Sequence, residues 1–173
     1  MSAVPRPVDP AQRAHDTIGR FYDAFARLDG DTMQACYAAD AQFDDEVFSL
    51  RGRDQVGGMW RMLCEATKSR PEALAHWRLV VSGITERRAH WEADYLFSAT
   101  GRKVHNVIDA EFEFDAQGLI LRQRDRFDFW RWSRQALGTP GLLLGWTPML
   151  RHKVRATAAH NLHKFLERDG RAA

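Results

Sequence analysis

The chain changes its hydrophobic spacing at Pro71, and this change limits the folds that are open to it. Before Pro71, apolar side chains recur every three or four residues, which is typical of amphipathic helices. After it, they alternate every second residue, which predicts strands. Helices followed by strands favour an α+β fold, in which the helices pack on one face of a curled antiparallel sheet. At 173 residues the chain is long enough to form one domain with a real core.

The pattern divides the chain into a leader, a domain and an extension. Residues 1–10 hold three prolines and are interpreted as a mobile leader. Residues 11–132 form the domain. Three helices are predicted: one over 11–28, a short one that begins after an Asp31 N-cap, and one that ends near Thr67. Strands are predicted over 41–46, 74–84, 88–99, 103–114 and 118–132. Residues 133–173 are predicted to form a C-terminal helical extension that packs on the domain or on a partner subunit.

Composition narrows the classes of function. A net charge of +2 without a nucleic-acid-binding motif predicts no nucleic-acid partner. Cys36 and Cys64 have no metal or redox spacing, and His76, His90 and His105 do not pair at the spacing of metal ligands, so we expect neither a metal nor another cofactor. No signal peptide or membrane span is recognised, which favours a cytoplasmic protein.

Two local features allow more than one interpretation. Gly57 and Gly58 weaken the third helix or let another segment approach it closely. The apolar stretch 142–146 precedes basic residues at 151–155, and it could rest on an anionic membrane or cover a pocket. We favour packing of this stretch on the sheet or on a second subunit, with no membrane contact.

The last predicted strand carries an acid on its apolar face. Alternation places Asp125 and Gln123 together with Leu121 and Phe127, on the side that packs against the domain. A second acid, Asp45, lies in the same way near Phe43. An isolated buried charge is costly, so Asp125 must be paired, protonated or exposed to a wet pocket. We interpret the two acids as the floor of a hydrophobic pocket for a small molecule.

The order of elements and several motifs resemble the nuclear transport factor 2-like superfamily, in particular its SnoaL-like, ketosteroid-isomerase-like branch. The matching pieces are FYDAFARLDGD at 21–31, YAADAQFDD at 37–45, LRG at 50–52, MWRML at 59–63, FEFDAQGLI at 112–120 and RDRFD at 124–128. The resemblance covers roughly residues 11–132. It implies a cone-shaped α+β barrel, here with an extra C-terminal helix, and a homodimer. It implies a choice among isomerases, cyclases, epoxide hydrolases, dehydratases and non-catalytic proteins.

The resemblance carries over to some site residues and not to others. Asp45 falls where the isomerases keep a proton-shuttling aspartate, and Asp125 falls where SnoaL-like cyclases and epoxide hydrolases keep an essential one. The oxyanion-hole tyrosine of the isomerases lands on Phe21, with Tyr22 one place away. Their second oxyanion-hole acid lands near Ala110, and Asp109 beside it is out of phase unless a bulge intervenes. Steroid isomerisation is therefore not favoured.

The leading hypothesis is a cofactor-independent isomerase, cyclase or hydrolase acting on a hydrophobic carbonyl or epoxide. In it Asp125 moves a proton and Asp45 is the second acid or base. The residues that position substrate or line the pocket are Tyr22, Trp60, Trp91, Tyr95, Asn106 and Gln123.

A plainer interpretation stands beside each of these roles. Asp125 could pair with an arginine or form hydrogen bonds that fix the strand end, and Asp45 could be a helix cap or turn acid. Asn106 could be a structural asparagine, and the aromatic residues could be ordinary core. The rival hypothesis is a non-catalytic ligand-binding or dimeric scaffold protein.

Overall fold

The computed structural model describes residues 9–170, so most of the predicted leader lies outside the described residues. The chain is mixed α and β, as predicted. Its elements are α1 Pro10–Ala26, α2 Gly30–Ala35, β1 Tyr37–Asp44, β2 Ser49–Arg51, α3 Arg53–Lys68, α4 Pro71–His76, β3 Arg78–Ser82, β4 Arg88–Leu96, β5 Lys103–Phe114, β6 Ile120–Arg126, α5 Phe129–Leu137, α6 Thr139–Leu144 and α7 Pro148–Asp169.

One six-stranded curled sheet organises the fold, in the order β2-β1-β6-β5-β4-β3. Strands β3 to β6 form the predicted antiparallel meander. Strand β1 pairs in parallel with β6 and places Phe43 opposite Gln123, while β2 pairs antiparallel with β1. The parallel pair brings the first strand of the chain beside the strand that carries Asp125.

The core lies between the inner face of this sheet and helices α1 and α3. Aromatic rings fill much of it. Phe21 and Phe25 on α1 contact Trp60 on α3 edge to face, with ring centroids 5.4 and 5.1 Å apart. Such pairs add to the free energy gained by burying the rings themselves. Trp60, predicted as a pocket wall, is thus a buried core residue.

Several element boundaries differ from the predictions, and the strand predicted over 41–46 is found at Tyr37–Asp44. The N-cap of α2 is Asp29 rather than Asp31, and its side chain accepts a hydrogen bond from the Thr32 amide. The segment predicted as a strand from residue 74 begins instead with helix α4, which starts at Pro71, where the fixed φ of proline suits the first helical turn.

The predicted strand 118–132 is also wrong at its end. Strand β6 stops at Arg126, and α5 begins at Phe129 after the Asp128 side chain has capped it by accepting from the Arg131 amide. Phe129 and Trp132 lie three residues apart and are both buried, so their spacing also suits a helix.

Helix α7 packs against α3, and two residues of α3 make this possible. A Cβ atom on Gly58 would lie 2.3 Å from Leu166 Cδ2, so any larger residue here would force the Leu166 side chain to move. The close approach predicted at the glycine pair is therefore present. One turn further along α3, buried Arg61 pairs with Asp169 of α7 at 2.8 Å.

Candidate active site

Asp125 lies on the inner face of β6, as the alternation predicts, and is 3% exposed. Its neighbour across the sheet is Ala110, whose small side chain covers little of the carboxyl group. Within residues 9–170 no arginine or lysine forms an ion pair with Asp125. The alternative of a structural ion pair is therefore absent from the described residues.

A chain of hydrogen bonds positions this carboxyl group. Trp60 Nε1 donates to the Tyr37 hydroxyl at 2.9 Å, and that hydroxyl donates to Gln123 Oε1. Gln123 Nε2 in turn donates to Asp125 Oδ1 at 2.9 Å. Because the amide oxygen of Gln123 is occupied by Tyr37, the amide nitrogen must point at Asp125. Gln123 itself is 0% exposed, so the chain is shielded from solvent.

Burial controls the acidity of Asp125. Loss of hydration raises its pKa to about 8, and the negative charge of Asp45 adds to the rise. The hydrogen bond from Gln123 and the nearby Trp91 indole act in the opposite direction. The carboxyl group is thus mainly protonated at neutral pH, which suits a proton donor.

Asp45 lies in the loop between β1 and β2 and is partly buried. Its Oδ1 accepts hydrogen bonds from the backbone amides of Val47, at 2.7 Å, and Phe48. These bonds make it a turn acid, as the plainer interpretation of the sequence proposed. Burial nevertheless raises the pKa of Asp45 to about 6, against the effect of the two amides. At neutral pH it is mainly ionised, and no described residue donates a hydrogen bond to its Oδ2.

The Tyr22 hydroxyl, buried near Asp125, has no hydrogen-bond partner among the described residues. The Trp91 ring, whose centroid lies 6.2 Å from that of Tyr22, has its indole N–H beside the Asp125 carboxyl group. Burial raises the pKa of Tyr22, and the charge of Asp125 raises it further, which places the two groups close together. Unsatisfied buried donors are costly and rare, so a ligand or water that paired with them would be bound favourably.

Asn106 and Tyr95 have different surroundings. Asn106 lies on the inner face of β5 between buried Val104 and Ile108, and its side chain forms no hydrogen bond with a described residue. The Tyr95 hydroxyl accepts a hydrogen bond of 2.9 Å from Trp132 Nε1, and burial raises its pKa. Asn106 thus remains able to bind a ligand, whereas Tyr95 is engaged by α5.

The second oxyanion-hole acid of the isomerases has no counterpart in the described residues. The register shift in β5 lies between Glu113 and Phe114, so no bulge turns Asp109 inward. Asp109 is exposed on the outer face, where it pairs with His90 at 2.8 Å. On α1, Phe21 is buried in the aromatic core, and Tyr22 supplies the hydroxyl nearest to this role.

The C-terminal helices contribute residues that the sequence did not single out. Trp132 on α5 packs with Phe97 and Phe129 and holds Tyr95. On α7, Arg155 donates to the backbone carbonyls of Glu46, at 2.9 Å, and Asp45, at 3.3 Å. The extension therefore fixes the loop that carries Asp45.

Two open depressions, of about 420 and 400 Å³, lie elsewhere on the molecule. One is formed by basic residues of β5 and α5, and the other lies between α3 and α7. Neither is lined by Asp125 or Asp45. The hydrophobic pocket around the two acids therefore stays a prediction.

Comparison with known proteins gives a family and a fold. Residues 18–123 match the family model described as a SnoaL-like domain, which is more than half of the chain. The matched segment includes Asp45 and Gln123 and ends just before Asp125. No functionally curated protein matches the chain.

Solved structures with similar folds come from several bacteria. A candidate polyketide cyclase from Xanthomonas campestris pv. campestris has 21% identity and a TM-score of 0.54, over 73% of this chain and 98% of that one. An LEH-like epoxide hydrolase from M. tuberculosis has 19% identity and a TM-score of 0.53, over 78% and 96%. A candidate isomerase from Bacillus subtilis has 15% identity and a TM-score of 0.55, over 76% and 96%. At these identities the likeness concerns the fold alone.

Proposed function

This chain belongs to the SnoaL-like domain family, and we propose that it is a cofactor-independent enzyme acting on a hydrophobic carbonyl or epoxide compound. The observation that supports this most is the setting of Asp125. A buried carboxyl group without a cationic partner among the described residues is oriented by three successive hydrogen bonds. The buried Tyr22 hydroxyl, which has no partner among the described residues, lies near it. Burial of an acid without a cationic partner lowers the stability of the fold, and such arrangements are common at functional sites.

The two acids suit opposite roles. Their pKa values, about 8 for Asp125 and about 6 for Asp45, make Asp125 the proton donor and Asp45 the proton acceptor at neutral pH. Asp125 gives its proton to the carbonyl or epoxide oxygen of the substrate. Asp45 takes a proton either from a carbon beside the carbonyl or from the water that opens the epoxide.

Each route balances without a cofactor. In isomerisation of an unsaturated ketone, Asp45 removes a proton from the carbon beside the carbonyl while Asp125 protonates the oxygen, which gives a dienol. Asp45 returns the proton at the far end of the conjugated system as the O–H proton goes back to Asp125, so the carbonyl and both acids are regenerated. In epoxide opening, the ring carbon–oxygen bond breaks as water adds, and a diol forms. Tyr22, Trp91 and Asn106 orient the substrate in this proposal, and Gln123 orients Asp125.

The relatives support this class of reaction. The similar structures are named as polyketide cyclases, an epoxide hydrolase and an isomerase, and the reactions proposed here fall within those three classes. A homodimer and a cytoplasmic location, both expected from the sequence, remain predictions. Sedimentation of the purified chain would test the first.

The test is turnover of a panel of hydrophobic epoxides and enones by the wild type, Asp125→Asn and Asp109→Asn. In Asp125→Asn the side-chain amide oxygen can still accept from Gln123, so this variant removes the proton and keeps the shape. We expect a loss of activity of about 100-fold or more for Asp125→Asn, and none for Asp109→Asn, which lies on the outer face. Full activity of folded Asp125→Asn would overturn the assignment.

A second candidate is a non-catalytic ligand-binding protein, which the structural hydrogen bonds from the Val47 and Phe48 amides to Asp45 favour. Ligands from the same panel would then bind, as measured by calorimetry, without chemical change. Asp125→Asn would bind them as tightly as the wild type or more tightly, because it removes a buried acid.

A further inference from the structure

An apolar patch protrudes from the C-terminal helices. It consists of Trp130, Leu142, Leu143, Leu144, Trp146 and Met149, all exposed. Leu143, Trp146 and Met149 are 62%, 73% and 65% exposed, which is unusual for such large apolar side chains. Trp130 Nε1 donates to the Leu142 carbonyl at 3.3 Å and Trp146 Nε1 to the Leu143 carbonyl at 3.1 Å, so both indoles lie against the backbone of α6.

The patch is held firmly by the rest of the molecule. Gly141 approaches α5 so closely that a Cβ atom would lie 1.8 Å from the Ser133 carbonyl oxygen. Ser133 Oγ donates to the carbonyls of Trp130, at 3.0 Å, and Gly141, at 3.3 Å. Thr147 then caps α7 through a hydrogen bond from the Leu150 amide. The exposed side chains are thus presented by an ordered turn of helices.

The segment that carries the patch is basic. Residues 129–166 contain no aspartate or glutamate and hold six lysines and arginines. Arg151 pairs with Glu46 and Arg155 holds the Asp45 loop, which leaves Arg131, Arg134, Lys153 and Lys164. Arg134 lies over the Trp130 ring at 4.6 Å. Arg131 and Arg134 also line the 420 Å³ depression together with Arg102 and Lys103. A molecule or surface that carries several phosphate groups would complement this positive charge.

These features together fit one kind of partner. A second copy of the chain would bring the same positive charge against itself, which disfavours a symmetric contact through this patch. A nucleic acid would pair with the basic residues but would leave the leucines and Trp146 exposed to water. A lipid surface satisfies both, because acyl chains accept the apolar side chains and anionic headgroups accept the cations.

We propose that α6 and the adjoining ends of α5 and α7 dock on an anionic lipid bilayer. Leu143, Trp146 and Met149 enter the headgroup boundary, and Arg134 and Lys153 contact lipid phosphates. Among residues 9–170 no helix is both long and apolar enough to cross a bilayer, so the association is peripheral. The low net charge of the whole chain led us to expect no membrane contact. The proposal departs from that expectation because basic residues are concentrated beside the patch.

Vesicle sedimentation tests the proposal with two vesicle compositions: phosphatidylcholine alone, and phosphatidylcholine mixed with phosphatidylglycerol. We expect the wild type to pellet with the mixed vesicles, and high salt to weaken the binding. Leu143→Ser with Trp146→Ser should lower the partition coefficient about tenfold or more. Arg134→Gln and Lys153→Gln should each lower it about fivefold for the mixed vesicles only.

Val80→Ser is the matched control, because Val80 is exposed to a similar degree on β3, away from the patch. It should bind as the wild type does. Circular dichroism should give the same melting temperature for all of these surface variants. Failure of the wild type to bind the mixed vesicles would overturn the proposal. So would a concentration-dependent dimer that the Leu143→Ser, Trp146→Ser variant abolishes, since the patch would then be an interface between copies.

Discussion

Gln123 Nε2 donates its hydrogen bond to Asp125 Oδ1 from two residues away on the same strand, within a buried site. Side chains at this spacing share one face of a strand, so the contact needs no long-range pairing. Its direction, however, depends on Tyr37 from β1, which occupies the other end of the amide. The protonation state of Asp125 thus depends on a residue that does not touch it.

Tyr37→Phe tests this dependence. The variant leaves Gln123 Oε1 and Trp60 Nε1 without their shared partner, and we expect a loss of about 1–3 kcal/mol in the free energy of unfolding. The Gln123 amide can then turn away from Asp125. The pKa of Asp125 should rise further, since the hydrogen bond from Gln123 lowers it. Urea unfolding measures the first effect, and the alkaline limb of the pH–rate profile measures the second; an unmoved limb would argue against the positioning role.

The raised pKa of Asp125 should make the fold less stable at high pH. The folded-state pKa of about 8 lies above the unfolded value, so the stabilising protonated form is fully present in acid and lost as pH rises through about 8. Asp45, with a pKa of about 6, acts in the same direction over a lower range. Between its unfolded-state and folded-state pKa values, each group changes the free energy of unfolding by at most about 1.4 kcal/mol per pH unit.

Asp125→Asn removes the larger of these two contributions. We expect the variant to lose less stability than the wild type between neutral pH and pH values above the pKa of Asp125. Urea titrations at a series of pH values measure the difference, with Asp109→Asn as the exposed control. Parallel curves for wild type and Asp125→Asn would show that the buried acid does not titrate in this range.

A bell-shaped dependence of kcat/KM on pH is expected for any substrate that the panel identifies. Activity should rise as Asp45 ionises near its pKa of about 6 and fall as Asp125 loses its proton near its pKa of about 8. The two values belong to the interacting pair. Asp45→Asn should abolish the acid limb, and a profile that keeps both limbs in this variant would remove Asp45 from the reaction.

Asp169→Ala should destabilise the fold more than Arg168→Ala, although the two residues are adjacent. Asp169 pairs with Arg61, which is buried and whose Nε and Nη1 have no partner among the described residues. We expect a cost of about 1–3 kcal/mol when that cation loses its acceptor. Arg168 pairs with Glu65 on the exposed surface, and its loss should cost less than about 1 kcal/mol. Chemical denaturation of both variants compares the two pairs directly.

Local pattern was enough to predict part of this site. Alternation along one strand placed Asp125 and Gln123 on the buried face, and alternation along β5 placed Asn106 inward, because a strand has period two whatever it pairs with. The out-of-phase position of Asp109 was correctly recognised for the same reason.

Long-range pairing set the rest of the site. Tyr37 reaches Gln123 through the parallel pairing of β1 and β6, whose register shifts between Tyr37 and Gln42, and a local pattern does not encode such a shift. The start of α5 was missed because its aromatic residues fit both periods. Asp128 is a residue type that favours helix N-caps, and its side chain caps α5 and so stabilises the helix over a continued strand.

The bonds from Arg155 to the backbone carbonyls of Asp45 and Glu46 have a consequence for synthesis. A ribosome makes the Asp45 loop early and the arginine that fixes it much later. The loop therefore gains its final support only after the segment of α7 that contains Arg155 has left the exit tunnel. Maturation of the site is thus tied to the emergence of that last helix.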